Sequence, residues 1–205
     1  MSYSSYNEAY RKRIVQNGER NYLICKLIRR AVKLNKYVIV VVDRILHLEE
    51  ISSRLDGKVK YKVVAGTKKV VDRFKSKDKF EAGEIRVLIV NKVFKKGIDI
   101  KRVDVIINAT GKPSANDALQ IFGRGVRTHK DKVGLICFDI NDYSPDKKEA
   151  KHNPFAKSAK KRMRAYRKAG LTVRTIDWNE DLKTKDIFQK SEKWLQKEIN
   201  RGKVS

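Results

Sequence analysis

Two arginines, Arg124 and Arg127, stand three residues apart in the stretch Gln120-Ile121-Phe122-Gly123-Arg124-Gly125-Val126-Arg127. On a helical turn that spacing sets both guanidinium forks on one side, within reach of a single polyphosphate. Such a pair can stabilise the negative charge that develops on a transferring γ-phosphoryl group. Gly123 and Gly125 each cost roughly 1 kcal/mol relative to Ala inside a helix, so something other than helix formation requires that backbone. A second stretch runs from Asn91 and Lys92 to Gly97 and Asp99. Asp99 can accept hydrogen bonds from a sugar hydroxyl, and Asn91 with the backbone around it can face phosphates. The alternative is a connection in which Asp99 only caps a turn. A third, Gly66-Thr67-Lys68, offers a close backbone approach, a hydroxyl and a cation to a phosphate, although Gly-Thr ahead of a helix is more often an ordinary cap.

These residues acquire meaning from the elements around them. Tyr37 to Val42 is a nearly continuous β-branched run, as a strand buried on both faces requires. Further strands are predicted near Val59 to Val64, Ile85 to Val90, Val103 to Asn108 and Val133 to Phe138. Helical spacing marks Asn21 to Leu34, the stretch holding Ile45, Leu48, Ile51 and Leu55, Lys68 to Phe80, and Ser114 to Phe122. Strands and helices taking turns predict an α/β, doubly wound, three-layer fold with a mostly parallel central sheet flanked by helices. In such sheets ligands bind beyond the carboxyl ends of the strands. The stretches at Gly66 and at Asn91 follow predicted strands directly, and the arginine pair ends a helix on the same path.

Composition limits the partners. Forty-nine Lys and Arg against 24 Asp and Glu leave a formal net charge of +25, which is self-repulsive until a polyanion supplies countercharge. The Lys excess is not matched by Glu, which argues against a merely heat-adapted surface. Two cysteines, Cys25 and Cys137, lie in aliphatic runs without ligand-spaced neighbours, so neither a metal site nor a disulfide is expected. No apolar run approaches the roughly 18 residues of a membrane span, and the expectation is a cytoplasmic protein without a membrane partner.

Beyond Asp142 the character changes. Between Lys147 and Lys168 there are ten basic residues and one acidic residue, Glu149. Asn153 or Pro154 is a natural helix start, and Lys160, Lys161, Arg162 and Arg164 are candidate contacts to a nucleic-acid backbone, the alternative being a solvated face. Leu171 to Ile176 reads as an edge strand, and the chain from Trp178 as a final charged helix. This divides the sequence into 1–36, a leading linker and first helix; 37–145, the core; and 146–205, a basic helical tail with that strand.

The order of Gly66-Thr67, then Val87-Leu88-Ile89-Val90 through Gly97-Ile98-Asp99-Ile100, then Gln120-x-x-Gly123-Arg124-x-x-Arg127 resembles motifs IVa, V and VI of superfamily 2 helicases. Asn7 to Leu23 is similar to the linker into that family's second domain, Val40 to Ile51 to motif IV, and Pro154 to Val173 to the closing element. The resemblance is nearest to DExH-type DNA helicases of the UvsW and RadD kind, and it covers almost the whole chain. It implies a C-terminal RecA-like domain. Gly97 and Asp99 would meet the ATP ribose, Arg124 and Arg127 the γ-phosphate, and Gln120 would couple nucleotide state to the domain interface. Gly66, Thr67, Lys68, Asn91 and Lys92 would face the strand; motif V usually has Thr where Asn91 stands, although an amide also donates.

No stretch reads Gly-x-x-x-x-Gly-Lys-Ser/Thr, and no Asp-Glu-x-His or Asp-Glu-x-Asp box follows a strand. The phosphate cradle and the carboxylates that hold Mg²⁺ are thus expected on a preceding RecA-like ATPase domain, in the same parent chain or a separate one. ATP with Mg²⁺ would bind only when that domain completes the site, and the chain alone would be inactive. The partner strand is expected to be DNA, with RNA as the alternative. A second reading makes the chain a stand-alone nucleic-acid binding module without catalysis.

Overall fold

Four short strands, β1 (Val38–Val41), β2 (Tyr61–Val64), β3 (Val87–Val90) and β4 (Val105–Asn108), with β5 (Ile136–Asp139), form one sheet in the computed structural model. The structure describes residues 5–55, 57, 59–65, 70–91, 100–114, 120, 134–142, 153–176 and 184–201. The strand order is β2-β3-β1-β4-β5 and every pairing is parallel. Parallel neighbours need crossovers, and those here place helices on both faces.

Side-chain alternation along the strands divides the core in two. Val38, Val40, Val87, Ile89, Val105 and Ile107 point to one side. There they meet α2 (Gly18–Lys33), α3 (Ile45–Ser53) and the final helix α6 (Thr184–Asn200) through Ile24, Leu27, Ile28, Leu48, Ile51 and Phe188. Ile39, Val41, Leu88, Val90 and Ile106 point the other way and meet Phe80 of α4 (Val70–Glu81). A sheet covered on both sides has little use for polar residues, which is why β1 and β3 read Val-Ile-Val-Val and Val-Leu-Ile-Val.

Capping sets the helix starts. The Asn17 side chain accepts from the Arg20 N–H at the head of α2, and Glu19 in its first turn with Arg30 and Lys33 in its last match the helix dipole. Helix α5 (Pro154–Lys168) begins as expected, with Asn153 accepting from the N–H groups of Phe155 and Ala156 and Pro154 in the first turn. Ahead of α2, α1 (Tyr6–Tyr10) runs into a π-helical turn at Arg11–Val15, and its Tyr10 packs edge-on against Phe155 of α5. The stretch Leu171 to Ile176 corrects an expectation, for it forms no strand. Thr172 donates instead to Glu198 on α6 and Ile176 packs against the core. Its alternating pattern is satisfied by packing beside a helix. Among the described residues no helix is long and apolar enough to cross a membrane.

Candidate functional site

The ladder registers align the carboxyl ends of all five strands: Val64 pairs with Val90, Val90 with Val41, Val41 with Asn108, and Asn108 with Asp139. The chain therefore leaves each strand along one edge. Ala65 leads from β2 to 66–69, and Asn91 leads from the adjacent β3 to 92–99. Gly66, Thr67, Lys68, Lys92, Gly97, Asp99, Arg124 and Arg127 lie outside the described residues. What the structure brings together is the pair of strand ends that launch the first two loops. Gln120 is helical and exposed.

Asn91 is buried, and its backbone N–H donates to the Val64 carbonyl at 3.3 Å. That amide is consequently committed to the sheet and is not the donor for the expected phosphate contact at this position.

Beside these exits lies a polar seam that composition does not reveal. Asp43, just after β1, takes an ion pair from Lys112 at 2.6 Å. Lys112 belongs to the turn after β4, whose Thr110 carbonyl accepts from the Tyr10 hydroxyl at 2.6 Å. Arg44 donates to Asn7 at 2.6 Å and lies 4.8 Å from the Tyr10 ring centroid. The leading segment is thereby fastened across the ends of β1 and β4. Burial pushes the Tyr10 hydroxyl above the ordinary tyrosine range, against the opposing charge of Arg20, so at neutral pH it is a fixed donor.

Helix α5 presents two faces. Lys157, Lys160, Lys161, Arg164, Arg167 and Lys168 are exposed, whereas Phe155, Ala156, Ala159, Arg162 and Tyr166 are buried. Arg162 is thus a correction to the expected set of backbone contacts. It is 1 % exposed and forks onto Asp139, with Nε at 2.9 Å from Oδ2 and Nη2 at 2.7 Å from Oδ1. Nη1 donates to the Lys112 carbonyl at 2.6 Å and Nη2 to the Ile140 carbonyl at 3.2 Å. Tyr166 donates its hydroxyl to Asp139 as well. Burial disfavours the Arg162 charge, but hydrogen bonds and attraction from Asp139 outweigh it and raise the pKa. The sequence does carry a signal for this: residues 155, 159, 162 and 166 share one helical stripe, and Arg162 is its only charged member.

A second buried pair joins Arg20 of α2 to Asp142 at 2.7 Å. Next to Arg20, Asn21 donates to the Val15 carbonyl, so its Oδ1 accepts from His47 Nε2–H at 2.9 Å. These groups organise the leading segment. Among the described residues no cluster of His, Cys, Asp or Glu could hold a metal ion.

A five-stranded parallel sheet with helices on both faces defines a RecA-like α/β domain. Residues 19–129 match the family described as helicase conserved C-terminal domain, and the chain belongs to that family. Among curated relatives, an uncharacterized ATP-dependent helicase of Methanocaldococcus jannaschii is 31% identical over 140 residues, 64% of this chain and 20% of that protein. The ATP-dependent RNA helicase DBP3 of Ajellomyces capsulatus is 30% identical over 79 residues, 38% of this chain and 16% of that protein. The chain spans a fifth or less of the length of these two relatives. Of solved structures, T4 UvsW aligns with a TM-score of 0.64 at 22% identity, covering 80% of this chain and 35% of UvsW. Dbp5 L327V of S. cerevisiae, bound to RNA and ADP BeF3, aligns at 0.63 and 17% identity, covering 86% and 42%. These two are likenesses of fold.

Proposed function

We propose that this chain is the second motor domain of an ATP-dependent nucleic-acid helicase or translocase. The observation that supports it most is the aligned carboxyl edge, from which the loops bearing Gly66, Thr67 and Lys68 and those bearing Lys92, Gly97 and Asp99 both depart, in a chain of this family. In this reading Arg124 and Arg127 reach the γ-phosphate, Gly97 and Asp99 meet the ribose, and Gln120 senses the domain interface. An N-terminal RecA-like domain, in cis or as a separate chain, supplies the phosphate cradle and the carboxylates for Mg²⁺. Closure of the two domains around ATP completes the site. The exposed cations Lys160, Lys161 and Arg164 neutralise strand phosphates.

The test joins the chain to such an N-terminal domain and measures turnover of ATP. Arg127→Ala abolishes turnover while strand affinity stays within about twofold, a small fraction of the 1.4 kcal/mol that a tenfold change represents. Surviving turnover sinks the arginine assignment. The strand is taken to be DNA on the motif resemblance, and matched DNA and RNA oligonucleotides in one titration decide between them.

The exposed basic face of α5 also suits a second reading, a binding module without catalysis. In that case strand binding by the 205-residue chain is tight and salt-sensitive, and no N-terminal domain restores turnover.

A further inference from the structure

We propose that Tyr6 is a stacking platform for an unpaired base of a bound single strand, at the carboxyl edge of the sheet; this rests on the reading above that the chain binds a nucleic-acid strand. Tyr6 opens α1 behind Ser5, whose side chain accepts from the Glu8 N–H. It is 47 % exposed, whereas the aromatic rings it touches are completely buried. Its centroid lies 5.6 Å from that of Phe155 and 6.2 Å from that of Tyr10. A ring held by two buried rings and still nearly half open loses little freedom when another ring settles on it. The next residue fixes its place in the fold. Asn7 accepts from Arg44, just past β1, and Tyr10 reaches the Thr110 carbonyl just past β4. Tyr6 therefore sits along the edge that Asn91 leaves from β3, the neighbour of β1.

The surroundings decide what such a ring would meet. Ile45 and Leu46, in the first turn of α3 beside Arg44, are also exposed, so apolar surface continues past the Asn7–Arg44 bond. The rim is basic. Arg11 is exposed one turn beyond Tyr6, Lys12 is half exposed, and Arg44 lies over the Tyr10 ring. Two acids on these segments are each in an ion pair with a lysine, Glu8 with Lys12 at 3.1 Å and Asp43 with Lys112 at 2.6 Å. Glu49 lies a turn further along α3, away from the edge. An aromatic face within a cationic rim is the combination that holds single strands, since each nucleotide brings a ring to the face and a phosphate to the rim. A protein partner would need an acidic rim of its own to fit here, whereas any strand supplies one. The phenol hydroxyl plays no part in stacking, because the contact is between ring faces.

The experiment is a fluorescence-anisotropy titration of the 205-residue chain with a labelled single-stranded DNA oligonucleotide and with a strand of equal length made of abasic sites. Wild type, Tyr6→Ala and Tyr6→Phe are compared on both strands, as a cycle that isolates the ring–base term. Tyr6→Ala weakens binding of the base-bearing strand about fivefold or more, the low end of what one base–aromatic stack contributes, and leaves the abasic strand within about twofold. Tyr6→Phe keeps the ring and stays within about twofold of wild type on both strands. The salt slope of all three is the same, because no phosphate contact is lost. If Tyr6→Ala does not fold, Tyr6→Leu, which keeps apolar packing on Phe155 but lacks the π face, gives the same loss. An equal loss on the two strands, or a lower salt slope, makes Tyr6 a support for the leading segment and overturns the inference. Unchanged affinity in Tyr6→Ala overturns it as well; if that variant binds an N-terminal RecA-like domain more weakly, the face belongs to a protein partner. Wild type that binds neither strand brings down the strand-binding reading itself, whereas wild type that binds both equally brings down the platform alone.

Discussion

Arg20 Nε lies 2.7 Å from Asp142 Oδ1, joining the first turn of α2 to the stretch after β5 across 122 residues of sequence. Arg20 is 5 % exposed, and both of its Nη atoms are buried without a partner among the described residues. Asp142 is thus the counterion of an otherwise stranded charge. Asp142→Ala is expected to cost about 3–5 kcal/mol in urea denaturation, the usual effect of leaving a buried cation unpaired. Glu8→Ala, at the exposed pair with Lys12, is expected to cost less than about 1 kcal/mol. Equal effects would show that Arg20 is solvated.

His47 is completely buried, and its pKa is lowered from 6.5 to about 3, first by burial and then by the charge of Arg20. The folded state therefore binds fewer protons than the unfolded state between these values. Stability from this group is present above pH 6.5 and is lost as pH falls toward 3. Between pH 7 and pH 5 the loss is about 2 kcal/mol. In His47→Gln the decline over that interval is shallower by this amount, measured by denaturant titration at both pH values. Parallel profiles for the two proteins would remove His47 as the cause.

Gly111 has φ of +65°, and a Cβ there would lie 2.8 Å from Ile14 Cδ1. Gly111→Ala combines left-handed strain with a clash against a buried side chain, and a loss of about 1–3 kcal/mol is expected in thermal or chemical denaturation. Ile14→Val removes the nearest atom but leaves Cγ1 at 3.0 Å and Cγ2 at 3.3 Å, so the double variant recovers only a share of the steric cost and retains the backbone part. Full recovery would mean that the backbone carries no strain at this position.

Lys160, Lys161 and Arg164 are exposed on α5 while Arg162 is not. Changing those three to Gln is expected to weaken strand binding uniformly across sequences. The slope of log affinity against log salt should fall by about 0.7 for each phosphate of a single strand that is no longer neutralised. A salt titration with two unrelated oligonucleotides measures both effects, and an unchanged slope makes this face a solvated one.

The alternation of elements is legible in the sequence because the 2.0 and 3.6 periods are local, and β1, β3 and β4 are buried on both faces. The start of α5 is readable from Asn153 and Pro154 for the same reason: a cap acts within one turn. Leu171 to Ile176 mimics a strand because alternation describes a half-buried extended chain, whether the neighbour is a strand or α6. Arg162 passes for a surface cation because charge density in a lysine-rich run says nothing about which member faces inward. Only its phase with Phe155, Ala159 and Tyr166 gives that away.

The sequence by itself determined the strands β1 to β4 and the helices packed on them, and which stretches bear phosphate-directed residue types, since these follow from short-range sterics and hydrophobic period; it did not determine Leu171 to Ile176. Tertiary structure alone decided the order β2-β3-β1-β4-β5, the alignment of the strand ends and the partners that Arg162 meets inside. Each depends on partners distant in sequence. A buried guanidinium is stable only where Asp139 and the carbonyls of Lys112 and Ile140 converge, and that convergence exists only once β4 and β5 have paired and α5 has packed against their ends.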